Sequence, residues 1–555
     1  MTNKIPLRRA GALGAALLIC MAAIGVRLGY VQAVRAQSYT DQAEKQRLRK
    51  IELPARRGTI LDRNGDELAV SVPARTIYAN PRLITDPAGT ARALAPLLAR
   101  DAASIERDLR KDAGFVYLAR RIGLVTAEKI EKLGPPGIGV LDEARRLYPG
   151  GPLASNVIGF IGTDQHGLSG LEYAFDGLLA GKAGWRVLEQ DPRGRRIPQG
   201  LFTEVPPEPG ADLQLTIDPD IQLSAERALS AAVKKTHANG GMVVALDPRT
   251  GDVLAMASNP TFNPNAMHGI DMTKTRNKVV TDTYEPGSIN KIVMAAAALN
   301  EHVVKPDEKL FVPESMHIGD HTFGDDHNPG GSFDLRWILA HSSNLGTIRI
   351  AQMLGKERLE EYFHRLGYGR TTGLGFPGEA SGSVPPIGRW ATSLPTMAIG
   401  QSLTITPIQI AQVYAMVAND GVSVEPRLLQ RWTDPAGKVH TAAEPRARRV
   451  LPADVSRTLR SMLRSVVTEG TGTRAAIPHY SVAGKTGTAR RAVEGLGYSG
   501  YFASFVGMLP AANPENVIGV AMDNPTPIEG GLAAAPVFSQ VAKDAARILR
   551  ITPDS

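Results

Sequence analysis

The stretch Tyr284-Glu285-Pro286-Gly287-Ser288-Ile289-Asn290-Lys291, continued by Ile292-Val293-Met294 and four alanines, decides how this sequence is read. Pro-Gly ends an extended segment, and the alanine run that follows is a strong helix former. Ser288 therefore falls at a helix N-terminus, and Lys291 projects from the same face one turn later. A serine hydroxyl is a poor nucleophile unless a neighbouring base takes its proton. A lysine amine serves as that base only when burial or a nearby cation lowers its pKa. Alone the pair is weak evidence: Ser-x-x-Lys recurs in helices, and a serine in this place also reads as a helix cap.

Two patches further along carry complementary groups. Ser342-Ser343-Asn344 follows an apolar helical segment, Leu335–Ala340. A hydroxyl and an amide two apart in a loop can face one cleft, relay a proton to a leaving amine and hold a peptide carbonyl. By itself the patch reads first as a helix-capping turn. Lys485-Thr486-Gly487-Thr488, after Ser481-Val482-Ala483-Gly484, reads as a strand whose glycine lets a substrate backbone approach. The Lys485 cation and the Thr486 and Thr488 hydroxyls suit a substrate carboxylate. By itself this is an ordinary exposed strand. A phosphate-binding loop ending in Gly484-Lys485-Thr486 would require glycine where His479 stands, and nothing before Gly470-Thr471-Gly472 reads as the start of a dinucleotide fold.

Around these patches the chain reads as two modules. Val205-Pro206-Pro207-Glu208-Pro209-Gly210 is the clearest linker. Upstream, 50–206 reads as one irregular mixed module, with an Asn64-Gly65 hairpin turn, a more helical stretch from Thr85 to Lys132, and a Gly-rich stretch from Gly150 to Gly170 that leads into Gly184–Ile197. Downstream, 211–555 opens with a helix-start signal at Asp218-Pro219-Asp220, and a helix is expected to about Ala238. Strands are expected at Met242–Leu246, Val253–Ala257, Tyr501–Met508 and Asn516–Met522, with a closing amphipathic helix from Ala533 to Leu549. Helices and strands segregate, which predicts an α+β domain built on an antiparallel sheet.

At the N-terminus, Lys4, Arg8 and Arg9 precede an uncharged apolar run from Ala10 to Val26. At 1.5 Å per residue the run covers roughly 25 Å, and Leu28, Tyr30 and Val31 extend it if Arg27 snorkels. No small-x-small site closely follows, so 10–34 is expected to be an uncleaved transmembrane anchor rather than a signal peptide, with 1–9 as a tail. Arg27, Arg35, Arg47 and Arg49 crowd the far side, so charge alone does not orient it. The polar stretch from Gln37 to Arg49 suggests a helical stalk. The lone cysteine, Cys20, excludes an intrachain disulfide and a cysteine-based zinc site. Ile19 before it argues against lipidation. The net charge of +8 comes without a dense basic block interleaved with aromatics, so no nucleic-acid partner is expected.

The three patches in this order, 54 and 197 residues after Ser288, are far more specific than any one. They match the Ser-x-x-Lys, Ser-x-Asn and Lys-Thr-Gly signature of penicillin-recognising serine enzymes, and the chain resembles the class B penicillin-binding proteins, most closely their division-specific branch. Gly400-Gln401, Thr406-Pro407-Ile408-Gln409 and Glu469-Gly470-Thr471-Gly472-Thr473 match further blocks of that transpeptidase domain. Arg57-Gly58-Thr59-Ile60-Leu61-Asp62-Arg63-Asn64-Gly65 and Gly167-Leu168-Ser169-Gly170-Leu171-Glu172 match the pedestal, or dimerisation, domain before it. Ile289-Asn290 stands where many relatives carry Thr-Phe, which touches only helix packing or β-lactam affinity.

The resemblance implies a penicillin-binding protein and serine β-lactamase-like fold, with a helical subdomain beside the sheet, behind an anchor and an elongated pedestal. It implies that Ser288 attacks the penultimate D-Ala carbonyl of a stem peptide, with Lys291 as base. Ser342 would pass a proton to the leaving amine, Asn344 would orient Lys291 and the substrate amide, and Lys485 would keep Lys291 neutral through its positive field. Thr486, Gly487 and Thr488 would bind substrate, the two threonines taking the terminal carboxylate. The backbone N–H groups of Ser288 and Thr488 would form the oxyanion hole. No metal or organic cofactor is implied. The implied partners are peptidoglycan stem peptides, lipid-linked glycan strands, β-lactams, and membrane-embedded division proteins including a glycan polymerase. Catalysis would lie outside the cytoplasm, with residues 1–9 inside. An elongation or sporulation role and a catalytically silent division scaffold are the alternatives. A β-lactamase or β-lactam sensor usually lacks such a pedestal, and 50–206 shows no resemblance to a glycosyltransferase.

Overall fold

A computed structural model of the chain describes residues 5–35, 37–39, 47–189, 197–326, 330–388, 390–493, 495 and 497–555. Two compact units emerge, Met1–Arg56 with Gly181–Pro209, and Arg57–Ala180 with Gly210–Ser555.

In the first unit the helix Ile5–Gly29 runs on through one π-turn, Tyr30–Val34. Its apolar residues point outward all round, as in Leu17 and Ile24, and an 18-residue window within Arg9–Val34 has a mean hydropathy of 2.0. It is long and apolar enough to cross a membrane. The unit also holds a three-stranded antiparallel sheet, with Gly184–Glu189 between Leu48–Leu53 and Phe202–Val205. Most of the expected helical stalk, residues 40–46, lies outside the described residues. Its last two residues are not helical: Leu48 and Arg49 pair with Glu189 and Leu188, and this strand partner lies about 140 residues away, beyond the reach of local pattern.

The second unit is built on a five-stranded sheet in the order Val253–Asn259, Gly240–Leu246, Asn516–Asp523, Gly497–Leu509, Ala483–Val493, every pair antiparallel. Both faces are covered. Val243 and Ala245 join the core under the helices Pro219–Thr236 and Ala535–Ile548. Met242, Val244 and Leu246 join the opposite core with the helices Lys291–Asn300 and Pro407–Ala418. A sheet buried on both sides explains why these strands read as continuous apolar runs. The expected strands and end helices occupy their expected places, each longer or shorter by a few residues. Asp218 caps its helix by accepting from the Asp220 and Ile221 N–H groups.

A second sheet crosses the chain's expected boundary. Ile60–Leu61 pairs antiparallel with Glu67–Ala79 through the turn at Asn64-Gly65, where Gly65 has φ +95°. On its other side the same short strand pairs in parallel with Asp212–Leu215. Ile60, Tyr148, Val157 and Leu171 accordingly share one buried cluster with Leu213, Met256 and Val279. The helices Pro87–Leu98, Ala102–Leu109 and Leu124–Leu133 close a smaller core of Ile77, Leu94, Ile105, Leu118 and Ile130.

Candidate active site

Ser288 sits in a tight 3₁₀ turn, Gly287–Asn290, that feeds directly into the helix Lys291–Asn300. Gly287 takes φ +57° and donates its N–H to the Gly400 carbonyl over 2.9 Å. A β-carbon there would lie 2.8 Å from the Thr488 carbonyl oxygen, so only glycine lets the turn lie this close to the edge strand Ala483–Val493. The lead-in is pinned from several sides. Tyr284 and Ile405 exchange backbone hydrogen bonds, and Glu285 Oε1 accepts from the Ser402 N–H and the Tyr498 hydroxyl. Ile289 and Asn290 point into the protein: Tyr414 donates to the Ile289 carbonyl, and the Asn290 amide pairs with Met397 and Tyr368.

The second patch turns between the helices Leu335–Ala340 and Asn344–Leu354. Ser343 is an ordinary helix cap, accepting from the Gly346 N–H at 2.9 Å. Ser342, beside it, holds φ +59°, a conformation a non-glycine residue keeps only when its surroundings fix it. What fixes it is Asp325. One carboxylate oxygen accepts from the Ser343 hydroxyl at 2.6 Å, and the other accepts from the backbone N–H groups of Asn344 and Leu345. Capping and cleft-lining thus coexist in this turn.

Lys291 is fully buried, and its amine donates to the Ser342 carbonyl and to Asn344 Oδ1 at 2.8 Å, with Ser342 Oγ at 3.4 Å. Burial lowers its pKa to about 7, against the opposing pull of Asp325 and Asp326. Lys485 is equally buried, hydrogen-bonds the carbonyl and hydroxyl of Thr486, and is driven well below its ordinary pKa by burial and by the charge of Lys291. Burial, rather than the field of Lys485, is thus the main cause of the low Lys291 pKa. The space beside Gly487 is filled by the protein itself, since a β-carbon would meet Ser504 Oγ, the Pro286 carbonyl and Ile289.

One cavity of about 500 Å³ joins these parts. Ser288, Ser342, Asn344, Thr486 and Thr488 line it, with Gln401, Glu469, Gly470 and Thr471 from the flanking blocks. Lys291 and Lys485 stand behind the wall. Sequence reading missed Asp325, and it also missed Trp337, His341 and Glu529–Leu532, all of which line the cavity. The hydroxyls of Thr471 and Thr486 lie 2.6 Å apart, and Gly530 donates its N–H to Thr488 Oγ1. Among the described residues no group of three or more His, Cys, Asp or Glu side chains is placed to hold a metal ion.

Comparison with known proteins gives two family matches. The penicillin binding protein transpeptidase domain matches residues 241–543, and the penicillin-binding protein dimerisation domain matches 52–215. The chain is 36% identical to penicillin-binding protein PbpB of Mycolicibacterium smegmatis, over 95% of this chain and 88% of that protein. It is 33% identical to peptidoglycan D,D-transpeptidase FtsI of Escherichia coli K12, over 97% and 91%. The crystal structure of penicillin binding protein 3 from Mycobacterium tuberculosis complexed with aztreonam superposes with a TM-score of 0.72 at 32% identity, over 91% of this chain and 98% of that one.

Proposed function

The chain belongs to the penicillin-binding protein transpeptidase family, and from that premise we infer that it is a class B peptidoglycan D,D-transpeptidase that β-lactams acylate. The observation that carries this reading is the convergence of three distant patches on one cavity, with a buried lysine held near neutrality one turn from a serine.

Ser288 is the nucleophile. Lys291, its pKa lowered by burial to about 7, takes the hydroxyl proton as Oγ attacks the penultimate D-Ala carbonyl. Ser342 carries a proton to the departing D-Ala amine, and Asn344 orients Lys291 and the substrate amide. Thr486 and Thr488 hold the terminal carboxylate in the field of Lys485, on the strand that Gly487 brings against the serine turn. The oxyanion is met by the N–H groups of Ser288 and Thr488. This assignment is supported by the Thr488 carbonyl lying against Gly287: on an extended strand a residue's N–H leaves on the same side as its carbonyl, here the free edge facing the turn. Each such donor contributes about 3 kcal/mol to the barrier reduction. An amine from a neighbouring stem peptide then resolves the acyl-enzyme.

The apolar helix supports a membrane-anchored protein. In this reading residues 1–9 lie in the cytoplasm, 10–34 spans once, the pedestal 50–206 and the transpeptidase domain 211–555 lie outside, and the work is done at the division septum beside a membrane-embedded glycan polymerase using lipid-linked strands. The test is Ser288→Ala. Covalent labelling by a fluorescent penicillin and release of D-Ala from a stem pentapeptide should both vanish with thermal stability unchanged. Labelling that persists would remove Ser288 as nucleophile, and a wild-type protein that never labels would favour a silent scaffold.

A further inference from the structure

The acceptor nitrogen poses a proton-balance problem that the residues assigned above do not solve. A primary amine reaches the acyl-enzyme as an ammonium with three hydrogens and leaves as an amide with one. One released proton restores the Ser288 hydroxyl by way of Lys291 and Ser342. The other needs a second base, and it must leave first, because an ammonium has no lone pair with which to attack.

We propose that His341 is that base, a role that rests on the transpeptidase reading. His341 immediately follows the helix Leu335–Ala340, directly precedes Ser342, and lines the same cavity as Ser288. Its Nδ1 lies 3.2 Å from the Trp337 carbonyl oxygen. A carbonyl only accepts, so Nδ1 carries the proton in the neutral ring and Nε2 keeps the lone pair. The ring's plane is held as well. It stacks on Trp337 with centroids 4.4 Å apart and 19° between planes, and Trp337 stacks on Phe333 at 3.6 Å and 14°. An imidazole of fixed tautomer and fixed plane therefore stands in the cleft wall next to Ser342.

The remaining titratable groups lining the cavity are Asp325, Asp326, Glu469 and Glu529, with the Lys291 amine behind Ser342. Asp325 is occupied by the Ser343–Leu345 turn. The carboxylates favour entry of a cationic acceptor, and imidazole is the side chain that most often serves as a general base. In the step itself Nε2 takes one ammonium proton. The freed lone pair adds to the acyl carbonyl, the oxyanion so formed collapses as the bond to Ser288 Oγ breaks, and the second nitrogen proton passes to Oγ. The exposed imidazolium returns its proton to solvent.

The experiment measures partitioning of the acyl-enzyme formed by the full-length protein from a D-Ala thioester. The acceptors are a D-amino acid, which is an ammonium at neutral pH, and hydroxylamine, which is already uncharged. In His341→Gln, transfer to the D-amino acid should fall on the order of 100-fold, the lower range for a positioned base, while transfer to hydroxylamine and penicillin labelling hold. His341→Asn, which can still donate to the Trp337 carbonyl but has no basic nitrogen, should lose as much. Equal loss with both acceptors, undiminished transfer to the D-amino acid, or recovery in the Asn variant would each overturn the base role, the last by making His341 only a helix-end cap. A wild-type protein that forms no acyl-enzyme would instead overturn the transpeptidase reading, and this one with it.

Discussion

The Lys291 amine donates to Asn344 Oδ1 over 2.8 Å and to the Ser342 carbonyl, and among the described residues it makes no hydrogen bond to Ser288 Oγ. A neutral amine has two N–H bonds, which these two acceptors use. Its lone pair is left to accept from a hydroxyl, and that of Ser342 stands 3.4 Å away. The second patch therefore positions the amine.

That geometry fixes the pH dependence. A lysine is neutral above its pKa, and burial has brought this one to about 7. Acylation by a chromogenic β-lactam should rise with pH through about 7 and level off above it, instead of rising toward the ~10.4 of an ordinary lysine. Lys291→Arg should be nearly inactive across the range, because guanidinium keeps its proton. Rapid-mixing rates as a function of pH check both, and an active Arg variant would assign the proton to another group.

Asp325 acts on the same lysine in two opposing ways. Its carboxylate fixes the Ser342–Asn344 turn, and its charge raises the Lys291 pKa. Asp325→Asn should therefore lower the acylation plateau, because the amide cannot accept all three hydrogen bonds, and move the acidic limb to lower pH, because the raising charge is gone. Stability should fall by about 1–2 kcal/mol, as for a lost helix cap. A limb that moves upward would contradict the electrostatic half of this account.

Asp325 also marks where sequence reading stops. Ser288, Lys291, Ser342, Asn344 and the 485–488 strand were legible because residue type, spacing and order act together. An aspartate 18 residues before Ser343, next to a short hairpin, carries no periodicity and no fixed offset from the turn it holds. Trp337 was read only as part of an apolar helix, and His341, just past the end of that helix, was not singled out. The pairing across the expected linker was hidden for a related reason. Val205–Gly210 has linker composition, yet Ile60–Leu61 pairs with Asp212–Leu215 across it, and pairings between such distant segments leave no local trace.

Gly287 tests how tightly the serine turn must meet the edge strand. Alanine at φ +57° costs about 1–2 kcal/mol for the left-handed backbone alone. Its β-carbon would also push on the Thr488 carbonyl. Gly287→Ala should lower the melting temperature modestly and slow acylation by roughly 100-fold, the loss seen when one oxyanion donor is displaced. Near-normal acylation in a destabilised variant would show that the Thr488 N–H is not where the oxyanion forms.

The last prediction concerns what can be cut away. Residues 57–180 and 210–555 share a core and a sheet, whereas 1–56 and 181–209 form a separate unit. The excision points already meet: Ala211 donates its N–H to the Leu178 carbonyl, and Gly210 packs directly on the Leu179 carbonyl. A protein that starts at Arg57 and joins Ala180 to Gly210 through a few glycines should fold as a soluble monomer and acylate with a β-lactam at the rate of the parent, since every cavity-lining residue is retained. A fragment starting at residue 211 should behave worse. It strips the Ile60–Leu61 strand from Asp212–Leu215, uncovers Leu213, and leaves Glu226 without the Ala154 N–H and the Lys274 and Arg276 carbonyls without the Asn156 amide. Melting curves and penicillin labelling of the two proteins decide the matter. If the 211–555 fragment melts as high as the excised protein and labels as fast, the shared core carries no stability and the linker at Val205–Gly210 is the true border. If the excised protein fails to fold while the parent does, the Gly181–Pro209 segment is part of the catalytic unit after all.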